Sequence, residues 1–142
     1  SHIVEVLDYS RYHVIGRTRD DAAGECFDKV ARTLGFEYPG GKFIDNAAKS
    51  GDPNAYKLPH PKVQGSEYDF SFSGLKTAVI NLVHNAAQKG ETVNVNDMAA
   101  SFQNTISDIL VDKAMLAAKD LGYTTIGLAG GVSANSGVRE KL

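Results

Sequence analysis

The chain is predicted to be α/β or α+β, on three observations. It opens on a stretch that alternates apolar and polar residues, as a hairpin does. It then switches to helical spacing over three long segments. It closes on "TTIGLAG", a short apolar run that meets the glycine pair Gly130-Gly131 and then a helix start.

The elements follow in order. In "HIVEVLDYSRYHVIGRT", Ile3, Val4, Val6 and Leu7 precede the turn "DYSR", and Tyr12, Val14 and Ile15 follow it, with Gly16 closing the second strand. In "RDDAAGECFDKVARTLGF", Ala22, Ala23, Cys26, Phe27, Val30, Ala31 and Leu34 make one broad apolar helical face. Thr18 with Asp21, or Asp20, is the expected cap of this helix, and Gly35 its stop. "YPGG" is a turn by composition, and a short helix is expected around Ile44 to Lys49. Ser50 to Tyr68 holds three of the four prolines and reads as a long loop, a kind of segment that often carries function.

Ser73 is the natural cap of a second helix carrying Leu75, Ala78, Val79, Leu82, Val83 and Ala86 inward, stopped by Gly90. Phe70 and Phe72 just before it read as a hydrophobic staple. A third helix is expected from about Asn96 to Asp120, with Ala99, Phe102, Ile106, Ile109 and Leu110 inward and Gly122 as its stop. Thr124–Gly130 reads as a short buried strand, and a last helix begins near Ser133.

Composition narrows the function classes. At 142 residues, with 42% apolar and 23% charged residues, this is one soluble domain's worth of chain. A net charge of −2 argues against a general nucleic-acid coat or a basic membrane-surface module. One cysteine, Cys26, excludes an intrachain disulfide and fits a reducing, cytoplasmic compartment. No apolar run reaches membrane-spanning length.

Two features point to a site. A strand running through Gly130-Gly131 into a helix start offers free N–H groups and close backbone approach, which suit an anion or a nucleotide. Asn135, in the expected first turn, either caps that helix or bonds a ribose or base. The plainer reading is a tight turn capped by Ser133. On the first helix, Asp21, Glu25 and Asp28 share one face around Gly24. Like charges at that spacing repel, so the face suits ribose hydroxyls or Mg²⁺ near phosphates; a surface pair of Asp28 with Arg32 is the simpler alternative. Gly40-Gly41 with Asp45 close behind is either a second bare approach to the same ligand or a plain turn, and Lys76 is a modest candidate for an anionic ligand. The sequence has no HExxH and no CxxC, and its four histidines lack ligand spacing. No nucleophile elbow is present.

Together, "GRTRDDAAGECFDKVARTLGFEYPGG", "DFSFSGLKTAV" and "LAGGVSANSGVREKL" resemble the catalytic subunit family of the tRNA threonylcarbamoyladenosine transferases, formerly called O-sialoglycoprotein endopeptidase or glycoprotease. The resemblance covers nearly the whole chain. It implies part of an actin-like, sugar-kinase-type (ribonuclease H-like) ATPase fold, with a nucleotide between two α/β domains. It implies transfer of threonylcarbamoyl from its adenylate to N6 of the adenosine beside the anticodon. By motif matching, Asp28, Gly41, Asp45 and Asn135 would contact ATP or threonylcarbamoyl-adenylate, with Glu25 beside Asp28 on the ribose and Gly130 and Gly131 in the adenosine-side loop.

The family's HxxxH metal pair, its Ser-Gly-Gly-His phosphate loop and its third metal ligand have no match here. Residues 1–142 therefore read as a single excised segment of the two-domain fold, without the N-terminal metal domain or the C-terminal end. The resemblance implies Fe or Zn in the full-length enzyme, held by ligands outside this sequence, and no metal ligand within it. As partners it implies tRNA and other subunits of the modification complex, with no membrane. If these residues act alone, they are expected to be inactive, and the open face of an isolated segment favours self-association. The alternatives are a nucleotide-binding or interaction module without catalysis, and a metallo-glycoprotease as in the old family name. Lys42 stands where the family usually has Pro, and Cys26 where Ala is common; neither is an assigned ligand residue.

Overall fold

A computed structural model describes the backbone of residues 1–142 and every side chain except that of Val132. Strands β1 (His2–Asp8) and β2 (Arg11–Arg17) form an antiparallel hairpin. Helices α1 (Ala23–Thr33), α2 (Gly40–Ala48), α3 (Ser73–Gln88) and α4 (Val95–Leu121) follow. A 3₁₀ turn (Gly131–Ala134) leads into α5 (Ser136–Lys141). No helix among the described residues is long and apolar enough to cross a membrane.

The core lies where α1, α3 and α4 bury their apolar faces. Cys26, Phe27 and Val30 of α1 meet Leu75 and Val79 of α3 and Met98, Phe102 and Ile106 of α4. Phe27 and Phe102 pack edge to face, with centroids 5.2 Å apart. α2 lies across α1 and α4 and adds Ile44. Burial pushes the Cys26 thiol up to about 12, so it behaves as a core group rather than a nucleophile.

Five local expectations are corrected. Ala22 holds the cap position of α1 with no side-chain cap. Thr18 instead donates to the carbonyl of Asp21 at 2.7 Å. Asp20 reaches across to α3, where it accepts from the Phe72 and Ser73 N–H groups at 2.9 and 3.2 Å and from the hydroxyl of Ser73. A carboxylate satisfies whichever helix start it reaches in space, so Ser73 is the first residue of α3 rather than its cap. Phe70 and Phe72 are core residues, 1% and 0% exposed, rather than a staple.

The strand expected at Thr124–Gly130 does not form: these residues lack strand structure and are exposed. A strand requires a hydrogen-bonding edge beside it, and the one sheet among the described residues, the hairpin, does not pair with this run. The run forms one wall of an apolar cavity of about 1010 Å³ that β1, β2 and the end of α4 also line. Lastly, α2 begins at Gly40, four residues before the expected start, because Asp28 caps it from α1.

Candidate nucleotide site

Three separate stretches meet along one strip: the outer face of α1, the start of α2, and the turn into α5. Asp28 Oδ1 accepts the Gly40 N–H at 2.9 Å. Gly40 sits so close to α1 that a Cβ there would meet the Asp28 Cα at 2.7 Å and the Ala31 Cβ at 2.8 Å. Gly41 beside it faces open space, with nothing within 4 Å of a Cβ. Asp45 follows Gly41 by one helical turn on the same face of α2.

Asp45 ties this helix to α5. It accepts the Ser136 N–H at 3.1 Å, the Ser136 hydroxyl, and a bond from Gln103 Nε2 at 3.1 Å. Burial alone would raise the Asp45 pKa; the Ser136 and Gln103 bonds outweigh it and hold the carboxyl below its ordinary value. Asn135 is buried at 7% exposure. Its Oδ1 accepts the Val138 N–H at 3.1 Å, which makes it the cap of α5 rather than a residue inside the first turn. Its Nδ2 donates to Gln103 Oε1 at 2.9 Å.

The glycine pair takes a different form from the expected strand-to-helix seat. Gly130 has φ +92°, a conformation few other residues adopt, and the chain turns there into the 3₁₀ segment that packs against α1. Ser133 N–H and hydroxyl both bond the Gly130 carbonyl. The start of α5 already uses its Ser136 and Val138 N–H groups within the protein. The open positions at this end are therefore the bare Gly130 and Gly131 backbone, which has nothing within 4 Å of a Cβ.

The acidic face of α1 is partly neutralised. Asp21 pairs with Lys76 at 2.6 Å and Lys29 at 3.3 Å, and Lys76 above all holds its carboxyl below the usual range. Glu25, half-exposed, pairs with Lys29 at 3.0 Å. Lys76 is thus engaged with Asp21. Asp28 makes no ion pair among the described residues, and the surface pair with Arg32 does not form. Asp28, Gly41, Asp45 and Asn135 come together; Glu25 lies one turn along α1 and shares Lys29 with Asp21. Gln103 and Ser136 were missed by sequence reasoning. Gln103 did leave a signal, since it falls on the inward stripe of α4 between Ala99 and Ile106, and a polar residue on an apolar stripe calls for a partner.

Among the described residues, no three His, Cys, Asp or Glu side chains lie together to hold a metal ion. The resemblance puts the metal's ligands outside this sequence, and the chemistry below is derived without the metal.

The model of the family tRNA N6-adenosine threonylcarbamoyltransferase (TsaD) matches residues 1–142. The chain belongs to this family. Curated proteins named tRNA N6-adenosine threonylcarbamoyltransferase agree with it. The protein of Desulfitobacterium hafniense is 54% identical over 142 residues, all of this chain and 42% of its own length. That of Clostridioides difficile is 49% identical over the same 142 residues, again 42% of its length. That of Listeria innocua is 53% identical over 133 residues, 94% of this chain and 38% of its own. The chain thus spans about two-fifths of the length of the threonylcarbamoyltransferases it matches.

Proposed function

We propose that this segment supplies the adenosine half of a threonylcarbamoyl-adenylate site in an enzyme that modifies tRNA. One observation carries the reading: Asp28, bare Gly41, Asp45 and Asn135, drawn from three distant stretches, line one strip. Asp28 makes no ion pair among the described residues and accepts one hydrogen bond where Asp45 accepts three, and it suits ribose hydroxyls. The open glycine backbones at Gly41 and Gly130-Gly131 suit a flat base or a phosphate approaching closely.

In the reaction, N6 of the tRNA adenosine attacks the carbamoyl carbon of the adenylate. A C–N bond forms, the C–O bond to phosphate breaks, AMP leaves with the electron pair, and the amine proton passes to solvent. This segment's part is to hold the adenylate in line, and positioning of that kind can supply several kcal/mol of a barrier, up to about 10. No acid, base or nucleophile is assigned within it. The rest of the two-domain, actin-like fold, with its Fe or Zn and its partner subunits, belongs to the same reading, as does a cytoplasmic location, since tRNA is the substrate.

The segment on its own is proposed to bind nucleotide without transferring the acyl group. Its exposed apolar residues around the cavity (Val6 at 57%, Tyr12 at 64%, Leu128 at 42%) are proposed to make copies of it self-associate. The old glycoprotease name gains no support, since no protease constellation is present among the described residues.

Calorimetric titration of the chain with ATP and Mg²⁺ tests the reading, beside Asp28→Ala. Saturable binding that Asp28→Ala weakens at least tenfold is expected. Binding that ignores Asp28→Ala, or no binding in a folded chain, overturns the nucleotide strip and leaves the segment an interaction module.

A further inference from the structure

We infer that Gln103 is a positioning residue for the nucleotide strip: one buried amide that holds Asp45 and Asn135 in register with each other. This rests on the nucleotide reading above.

Gln103 is 7% exposed and belongs to α4, outside the three stretches that form the strip. Its amide is used at both ends. Nε2 donates to Asp45 Oδ1 at 3.1 Å, and Oε1 accepts from Asn135 Nδ2 at 2.9 Å. Asp45 sits on α2 and Asn135 at the entry to α5, 90 residues apart in sequence, and Gln103 links the two directly. Each of its bonds fixes a choice. The acceptor forces Asn135 to point its NH₂ inward, which leaves Oδ1 to cap Val138. The donor fixes one Asp45 oxygen, so the other stays on the Ser136 N–H.

The backbone makes room for this amide. A Cβ at Gly137 would meet Gln103 Cγ at 2.9 Å and Nε2 at 3.0 Å. A side chain at 137 would therefore crowd this amide. A packing role alone would not need an amide here, since an unbranched apolar side chain fills the same space. The two bonds point to orientation, because their removal leaves the Asn135 NH₂ without its partner and Asp45 held by Ser136 alone.

Two variants and two readouts decide the point. Gln103→Met keeps the volume and removes both bonds. Gln103→Glu keeps an acceptor for Asn135 and sets a second carboxylate against Asp45. In the ligand-free chain, the side-chain amide of Asn135, followed by ¹⁵N NMR, is expected to be protected from exchange in the parent and in Gln103→Glu, and unprotected in Gln103→Met. In the ATP titration, both variants are expected to bind about tenfold more weakly than the parent, the size of one lost buried bond. Unchanged protection in Gln103→Met, or parent-like ATP affinity in that variant while its thermal melt stays cooperative, overturns the inference. If the parent binds no ATP, the nucleotide reading and with it the role toward ligand are overturned, while the NMR result still decides whether Gln103 orients the pair.

Discussion

Two carboxylates in this chain are held ionised by the helix starts they serve. Asp20, despite partial burial that would raise its pKa, is depressed by the Ser71 hydroxyl and by the N–H and hydroxyl groups at the start of α3. Asp45 is depressed in the same sense by Ser136 and Gln103, against its burial. A carboxyl whose folded pKa lies below its unfolded value near ~3.9 contributes stability that is complete above that value. The contribution fades as pH falls through the folded pKa. Urea unfolding of the parent is therefore expected to lose stability below about pH 4. Asp20→Asn is expected to cost about 1 kcal/mol at pH 7, the worth of a charged cap over a neutral one plus its lost acceptor. The gap should narrow as pH drops and the parent's own Asp20 takes up its proton. A gap constant from pH 7 to pH 3 would mean that Asp20 acts by packing and not by charge.

At the scale of elements, the two glycines at the start of α2 separate structure from ligand binding. Gly40 is pressed against the backbone of α1, so Gly40→Ala must push α2 away, at a cost of about 1–3 kcal/mol. Gly41 has open space around it, and alanine is the better helix former, so Gly41→Ala is expected to hold or raise stability by up to about 1 kcal/mol. If a ligand approaches there, the same change weakens ATP binding. Thermal melts and titrations of the two variants check both statements, and a Gly41→Ala chain that binds ATP as the parent does removes Gly41 from the site. The helices themselves were legible: apolar spacing marked α1, α3 and α4, and Gly90 and Gly122 mark the stops of α3 and α4, where φ is +73° and +79°. What periodicity cannot carry is which distant group answers a helix start. Asp20 capping α3 and Asp28 capping α2 are contacts across the fold, so the sequence pointed to the nearer helix for the first and began the second late. The candidate strip was legible mostly through motifs, and Gln103 was hidden because its role needs α2 and α5 already in place.

Over the whole molecule, stability is unevenly spread. α1, α3 and α4 share one core, with Phe27, Phe72, Leu75, Met98 and Phe102 all at most 2% exposed. The hairpin is joined to that core by few bonds: the Arg19 N–H on the Phe70 carbonyl, the Phe70 N–H on the Arg17 carbonyl, and Asp69 holding Arg17 and Arg19. Residues 123–130 are exposed and outside any ladder, held to the hairpin by the Tyr123 hydroxyl on Glu5 at 2.7 Å. Amide exchange follows the local cost of opening. Exchange measured along the ligand-free chain is therefore expected to be slowest in the middle of α4 and in α1, intermediate in the hairpin, and fastest at 123–130. Added ATP gives the pattern a second use. A ligand on the strip contacts α1, the start of α2 and the turn into α5, so it should slow exchange at Gly40–Asp45 and Asn135–Val138. The hairpin and residues 123–129 should not respond. Protection that instead spreads over β1, β2 and 123–129 would place the nucleotide in the cavity and take it off the strip.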